Sequence, residues 1–410
     1  SIPMLPRELS NGICSLNPEV DRLALSCEMK VDDKGKIIDY EVYESVIKSR
    51  KKMTYDAVNQ ILEENTIPLG YEDYADTLIK MNELAIKVQK LMKKRGYIEF
   101  DRPEIKVIMD EVTNKPIDIQ KRVQRSGEKL IETFMIMANE TILTYLTNVF
   151  GIGIYRVHDV PNQEKIESLF GFIALRGGVL SGKINKKHIT PSSLNDVLEQ
   201  LNNDPAVNVI KDLMIRSMAK AYYSTENIGH YGLGSRCYGH FTSPIRRLAD
   251  LIIHILVKLS LHDYNEDEIR KWELSLEDYA RQASVKERDA DNVEREVTKM
   301  RVAEYMEEHI GEVYDGVISG LTDFGVFVEL DNLVEGLIRY EDMTDDHYTY
   351  EPSLYATIGQ RSKKRYMLGD SITIKVKGAS KEKHEVDFEI YKEEKRNEKE
   401  EENKKKVKSR

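Results

Sequence analysis

With 410 residues the chain has room for two or three domains of roughly 100–200 residues, each with a buried core, which excludes a peptide, a knottin and a collagen-like rod. Apolar residues make up 40% and charged residues 32%, and the mean hydropathy is −0.50, so the chain reads as a highly charged globular protein rather than a disordered or membrane one. A net charge of −10 advertises no polyanion partner overall, although phosphate attraction acts over about 8 Å at physiological salt and a local basic groove is enough to hold nucleic acid.

The opening residues, Ser1-Ile2-Pro3-Met4-Leu5-Pro6-Arg7, contain no basic segment followed by an apolar one, so no secretory signal is predicted and a cytoplasmic location is expected. A start on Ser that leads directly into a proline-containing segment reads as the remainder of a longer chain. Cys14, Cys27 and Cys237 are odd in number and lack metal-type spacing, which suits reduced thiols.

Leu23, Leu25, Cys27 and Met29 alternate, Asp32-Asp33-Lys34-Gly35 supplies a turn, and Ile37 to Ile47 is rich in β-branched and aromatic residues, predicting a hairpin. From about residue 54 the period becomes helical. Tyr71 to Arg95 places Leu78, Met81, Ala85, Val88 and Met92 on one face and stops at Gly96. Short β-like stretches are expected at Tyr97 to Phe100 and at Ile105 to Met109. A helix from Ser126, its N-cap, to Leu146 has Ile131, Phe134, Met135, Ala138, Ile142 and Leu146 as its apolar stripe. Residues 150–225 read mostly as helices and loops. A Gly- and aromatic-rich loop, Gly229 to His240, leads into Phe241-Thr242-Ser243-Pro244-Ile245-Arg246-Arg247, with Ser243 as N-cap and Pro244 as the first helical residue. The most apolar stretch, Leu248 to Leu261, contains Asp250, His254 and Lys258 and is shorter than the ~20 residues of a membrane span, so no membrane partner is predicted. A long helix is expected from about Asn265 to Ile310, closed by Gly311.

Beyond Gly311 the residues Val317 to Gly320, Phe324 to Leu330, Ile372 to Val376 and Val386 to Ile390 predict short strands of a small barrel. The tail after Lys392 mixes six acids with eight bases and reads as disordered, either as a solvating tail or as a non-specific contact to RNA or a ribosome.

Two tempting patterns fail on chemistry. Gly177 to Ile184 copies a phosphate-binding loop but ends on Ile184 where a magnesium-holding hydroxyl is needed, so it reads as a turn. His230, Cys237 and His240 fall short of a four-ligand zinc set, and a plain glycine-rich loop is the better reading. The His240 to Asp250 segment is different. Arginines in a first helical turn oppose the helix dipole, and a phosphate held there supplies the reason. A guanidinium grips phosphate in bidentate fashion, and Asp250, at i+4 from Arg246, would orient it. The alternative is an ordinary Arg–Asp surface pair.

Ile2-Pro3-Met4-Leu5-Pro6-Arg7-Glu8-Leu9-Ser10 with Cys14-Ser15-Leu16, Lys129-Leu130-Ile131-Glu132 through Met135 to Ala138-Asn139, and Phe241 to Arg247 occur in the order seen in the ribonuclease II/ribonuclease R (RNB) family. Gly320 to Glu329 resembles its S1 RNA-binding domain. Over residues 1 to about 392 the chain is similar to that family, most of all to its bacterial ribonuclease R branch. The resemblance implies an α/β (α+β) RNB-type catalytic domain over 1–308, an all-β S1 (OB-fold) barrel over 309–392 and a charged tail over 393–410.

It further implies a processive, magnesium-dependent 3′→5′ exoribonuclease that hydrolyses single-stranded RNA to nucleoside 5′-monophosphates. Arg246 would clamp the scissile phosphate or its neighbour, Glu132 would contact the 3′-terminal nucleotide, and Glu294 would face the RNA. His240 and Arg247 would lie on the RNA path, and Tyr55 and Phe100 match aromatics that stack on bases. In the barrel, Phe324 and Phe327 are the expected stacking platform, with His347 and Tyr348 nearby; three positions apart in an unbroken strand, the two phenylalanines would face opposite sides unless Gly325 permits a bulge. The bland alternatives are a solvated glutamate at positions 132 and 294 and core packing for Tyr55 and Phe100.

The sequence also departs from the family. Its aspartate cluster for Mg2+ lies upstream of the Ile-Pro-Met-Leu-Pro motif, where this chain starts; Asp289 with Asp291 and Asp345-Asp346 form no equivalent, and the N-terminal cold-shock domains are missing. No metal ligand is therefore assigned within the chain, and the chain alone is expected not to cleave RNA while its parent does. Leu248 and Ile255 replace residues that are usually Tyr and Arg. The competing readings are a non-catalytic RNA-binding or ribosome-associated protein with a degenerate RNB fold, and a translation factor whose S1 barrel sits on an unrelated helical body.

Overall fold

The computed structural model describes residues 3–99, 102–177, 189–201 and 206–392. The chain divides into two compact units: one runs to Pro103 and resumes over Val123–Val293, and the other joins Glu104–Arg122 to the chain from Glu294 onward. In chain order the elements are β1 (Asp21–Val31), β2 (Ile37–Lys48), α1 (Tyr55–Glu63), α2 (Ala75–Arg95), β3 (Glu104–Met109), β4 (Pro116–Arg122), α3 (Ser126–Phe150), β5 (Tyr155–Val157), α4 (Gln163–Leu175), α5 (Pro191–Gln200), α6 (Val207–Ser217), β6 (Tyr222–Ser224), α7 (Leu248–Leu261) and α8 (Glu266–Glu307). They continue with β7 (Val313–Leu321), β8 (Gly325–Leu330), β9 (Glu335–Arg339), β10 (Tyr348–Glu351), β11 (Ala356–Gly359), β12 (Arg365–Met367), β13 (Ser371–Ser380) and β14 (Glu385–Ile390).

In the first unit β1 and β2 form the expected antiparallel hairpin. Helix α2 begins at Ala75, four residues later than the periodicity suggests, because Tyr71 to Tyr74 form a turn in which the Tyr74 N–H donates to the Tyr71 carbonyl at 3.0 Å. Its three terminal bases, Lys93, Lys94 and Arg95, complement the helix dipole. Helix α3 is capped at Arg125 rather than Ser126, with the Glu128 carboxylate accepting the Arg125 N–H at 3.3 Å. Its buried face also differs from the expected stripe. Ile131 is exposed, whereas Leu130, Thr133, Met137 and Asn139 are buried, because α3 packs against α1, α2, α7 and β1 at once and so hides polar positions that periodicity counts as outside. The core it shares with α7 and α8 contains Ile142, Leu143, Leu146, Ile253, Leu256 and Leu276.

Two local expectations fail. Tyr97 to Glu99 form no strand; the Ile98 N–H donates to the Gly232 carbonyl at 2.9 Å and the Asn195 side chain donates to the Tyr97 carbonyl at 2.8 Å, so this backbone is satisfied by a loop and a helix. Pro244 does not open a helix. Pro244 to Arg246 make an isolated turn closed by the Arg246 and Arg247 N–H groups on the Ser243 carbonyl, and α7 starts at Leu248 with Arg247 as its extended N-cap.

In the second unit β13, β14, β9, β8 and β7 close a barrel around Ile318, Val326, Val328, Ile338, Ile374, Val376 and Phe388. β9 and the separate sheet of β10, β11 and β12 go beyond the expected strands. The sequence reading draws its domain line at 308, whereas contacts divide α8 at Val293/Glu294. The last turns of α8 are bound to barrel residues: Lys381 pairs with Glu304 at 2.6 Å and its N–H donates to Glu307 at 2.8 Å. The tail after Lys392, Phe100 and most of Gly177 to Ile184 lie outside the described residues. No helix among the described residues is long and apolar enough to cross a membrane.

Candidate nucleic-acid interface

The segment before α7 is fixed from α3. Asn139, buried, accepts the Phe241 N–H on Oδ1 at 2.8 Å and donates from Nδ2 to the Tyr238 hydroxyl at 3.2 Å. Gly239 has to be glycine, because a Cβ would stand 2.7 Å from Leu143 Cγ and 2.8 Å from the Ile154 carbonyl oxygen. His254 bonds the Phe241 carbonyl at 2.8 Å through Nε2, and Asp250 accepts the Ser243 N–H at 2.7 Å. Four hydrogen bonds from three side chains thus hold a loop with little regular structure.

On this frame the two arginines part company. Asp250, fully buried, accepts from Arg247 Nη2 at 2.8 Å, correcting the expectation that it orients Arg246. With no helical turn at Pro244, the i+4 spacing from Arg246 to Asp250 does not bring them together. Arg246 stands exposed and, among the described residues, its guanidinium has no hydrogen-bond or ion-pair partner. The expected helix N-terminus is absent as well, so the anion-holding capacity here rests on guanidinium charge.

That charge is concentrated. His240 Nδ1 lies 2.8 Å from the Tyr223 hydroxyl, and the Arg156 guanidinium sits 4.8 Å from the centre of the Tyr223 ring while pairing with Glu287 at 2.5 Å. Burial pulls the His240 pKa down to about 2, helped by the positive charges of Arg247, Arg156 and Arg246, and burial together with His158 pulls His230 down to about 3. His230 and His240 both meet the Tyr238 ring edge to face, at 5.4 and 5.6 Å. Both imidazoles are therefore neutral packing groups, and the arginines supply the local positive charge. Arg156 and Tyr223 escaped the sequence reading because nothing local marks them; they reach the site through the two-strand ladder of β5 and β6.

Glu132 lies one heptad before Asn139 on α3, about 10 Å along the helix axis. It lines a cleft of about 480 Å³ with Tyr97, Lys93, Lys129 and Asn195. The Tyr97 hydroxyl donates to Glu132 Oε1 at 3.0 Å, and burial, then the Glu132 charge, raises the phenol's pKa so that it stays a donor. Lys129 pairs with Glu99 at 2.7 Å and Lys93 with Glu199 at 2.5 Å, giving the rim alternating charge. Tyr55 is exposed as the first residue of α1, where the Thr54 side chain caps the helix by accepting the Ala57 N–H. Glu294 belongs to the second unit and is exposed on α8.

In the barrel Phe324 precedes β8, which starts at Gly325, so strand parity does not separate it from Phe327. The rings meet edge to face at 6.2 Å, with Phe324 56% exposed and Phe327 half-buried. The bulge lies in the partner strand, where the β7 register shifts between Ile318 and Gly320. His347 is exposed. Tyr348 corrects an expectation: it is 3% exposed, packs its ring against Tyr366 at 5.5 Å and donates to Asp345 at 3.2 Å, so it offers no face to a base. Tyr340 ties the Phe324 loop to the neighbouring sheet. Its N–H donates to the Phe324 carbonyl at 3.1 Å, and its hydroxyl lies 2.7 Å from the Thr322 carbonyl oxygen and 2.6 Å from the Thr357 hydroxyl of β11.

Residues 1–263 match the RNB domain family. The chain belongs to the RNB family. Residues 307–391 match the S1 RNA binding domain. Among curated relatives, Ribonuclease R 1 of Lactococcus lactis is 40% identical over 95% of this chain and 47% of its own length, and Ribonuclease R of Thermotoga maritima is 41% identical over 94% and 54%. The structure of Mycoplasma genitalium RNase R with ribose-methylated single-stranded RNA superposes with a TM-score of 0.89 at 30% identity, covering 95% of this chain and 61% of that one. The chain thus spans about half the length of the curated relatives it matches. Within this RNB chain, no three His, Cys, Asp or Glu side chains among the described residues converge as ligands for a metal ion, so they do not fit the magnesium site the family resemblance implies.

Proposed function

We propose that this RNB and S1 pair is the RNA-holding part of a processive 3′→5′ exoribonuclease that converts single-stranded RNA to nucleoside 5′-monophosphates with magnesium. The reading rests chiefly on one observation: an exposed Arg246, without a partner among the described residues, on a turn pinned by Asn139 and Asp250. In hydrolysis at the 3′ end, water attacks phosphorus and the bond to the O3′ of the preceding nucleotide breaks, leaving the phosphate on the released nucleotide. Charge builds on the equatorial oxygens, and a planar guanidinium that has not spent its donors on protein is suited to receive it.

The ends of the substrate are assigned to two further surfaces. Glu132, with Tyr97 on one oxygen, keeps its other oxygen for a ribose hydroxyl of the terminal nucleotide, a contact sensitive to sugar and indifferent to base. Phe324 and Phe327 stack bases of the incoming strand without sequence preference, as a degradative enzyme requires. The test is release of nucleoside 5′-monophosphates from uniformly labelled single-stranded RNA by the full-length protein with magnesium. Progressive 3′ shortening that fails in Arg246→Ala supports the reading. RNA binding with no release assigns the chain to the non-catalytic alternative.

A further inference from the structure

The second unit carries a run of charge that none of these roles uses: Arg361-Ser362-Lys363-Lys364-Arg365, which joins β11 to β12. All five residues are exposed. Four cations in five residues repel one another, and their concentration in a chain of net charge −10 calls for an anionic counterpart. The loop is also shaped from beneath. The Asp346 carboxylate, 1% exposed, accepts the Arg361 N–H at 3.0 Å and both the N–H and the hydroxyl of Ser362 at 2.6 Å. Gly359 makes room for it, since a Cβ there would lie 2.6 Å from Asp346 Oδ2. Lys363 takes a left-handed backbone at φ 57°, and the Gly359 N–H donates to the Lys364 carbonyl at 2.9 Å.

The side chains remain available. Arg361 approaches Asp346 at 3.5 Å, Lys364 Nζ lies 4.7 Å from the centre of the Tyr366 ring, and Lys363 and Arg365 meet no carboxylate among the described residues. The loop is moreover continuous with the aromatic edge of the barrel: Thr357, which shares the Tyr340 hydroxyl, pairs with Tyr366 one ladder step before Arg365 pairs with Ile358. At roughly 3.3 Å per strand residue, the tip lies within a few nucleotides of strand length from that tie.

We propose that the 361–365 hairpin is a second RNA site of the S1 unit, in which Lys363, Lys364 and Arg365 grip backbone phosphodiesters of a strand whose bases stack on Phe324 and Phe327. This rests on the reading of the S1 unit as an RNA binder. A backbone fixed by hydrogen bonds under exposed cationic side chains favours phosphates of any sequence, and it places the cost of holding the loop in folding rather than in binding.

The experiment measures anisotropy of a labelled oligouridylate of about 20 nucleotides, longer than the roughly 4–16 nucleotides an OB fold covers, against the full chain from about 50 to 200 mM salt. Lys363→Ser/Lys364→Ser/Arg365→Ser is expected to weaken binding roughly tenfold at the low-salt end and to lower the slope of log K against log salt by ~2, near 0.7 for each charge removed. Lys363→Arg/Lys364→Arg/Arg365→Lys should keep both values, which separates charge from folding. Unchanged affinity and slope in the serine variant overturn the site. Phe324→Ala should weaken binding at an unchanged slope; if it does so while the serine variant behaves as wild type, the S1 reading stands and the hairpin site falls. A wild-type chain that binds no RNA overturns both.

Discussion

Asp250 pairs with Arg247, and Arg246 has no partner among the described residues. Neighbouring arginines of one motif therefore answer to different tests. Arg246→Ala should leave thermal stability within about 0.5 kcal/mol, as for most exposed substitutions. In the full-length protein it should slow release of nucleoside monophosphates by on the order of 10²-fold or more, the usual cost of removing a group that stabilises transition-state charge. A rate within twofold of wild type would sink its assignment.

Arg247→Ala should act mainly on folding. It strips a fully buried carboxylate of its cation, a change that costs ~3–5 kcal/mol when nothing replaces the partner. The retained Ser243 N–H bond places the expectation near the lower figure. Urea unfolding of the chain measures it, and Arg247→Ala/Asp250→Ala should recover part of the loss because the stranded charge is gone.

Asn139→Ala removes both partners of the Phe241 N–H and the Tyr238 hydroxyl in a buried place, and should cost ~1–3 kcal/mol. It should also reduce RNA affinity, although Asn139 itself is buried, because the turn that presents Arg246 hangs from it. Equal affinity in the variant and wild type would show that the turn holds without this tie.

The neutral histidines give a pH dependence of definite sign. Folded His230 and His240 have pKa values near 3 and near 2, below the unfolded value of ~6.5, so the unfolded chain binds more protons over the interval between. Their contribution to stability is fully present above about pH 6.5 and is lost as pH falls through the interval toward the folded values. Urea midpoints should fall from pH 7 to pH 5, and His240→Gln should show a shallower fall. A midpoint independent of pH over that range would contradict the burial assigned to both rings.

Phe324 and Tyr348 separate surface from core. Phe324→Ala should cost RNA affinity ~1–3 kcal/mol with little change in stability, whereas Tyr348→Ala should destabilise the barrel unit by ~3–5 kcal/mol, as large-to-small changes of buried aromatics do. Anisotropy and thermal melting of the two variants distinguish the cases.

The sequence made the architecture readable wherever pattern and packing agree. The β1–β2 hairpin, α2, the long α8 and the barrel strands each carry a single exposed and a single buried face, or clear turn residues, so periodicity identifies them. It misled where one element serves several neighbours, as in α3, whose buried face includes Thr133 and Asn139. Ser243-Pro244 has the composition of a helix start, but the Asp250 carboxylate takes the Ser243 N–H from across the turn, and the helix waits until Leu248. The Arg246 motif was legible as a motif, yet its Asp250 partner was misassigned because spacing in sequence was converted to spacing on a helix that does not exist there. Arg156 and Tyr223, which shape the charge around His240, depend on a long-range strand pairing that no local signal announces.

A single phenolic oxygen, that of Tyr340, is shared between the loop carrying Phe324 and the strand leading to the cationic hairpin. A polymer held at two separate contacts needs a gauge between them, and this hydroxyl is one of the ties that set it, beside the Tyr340 N–H on the Phe324 carbonyl. On the two-contact proposal, Tyr340→Phe should leave both surfaces in place and loosen the distance between them, so the footprint on a long strand is expected to blur before the affinity for a short one declines.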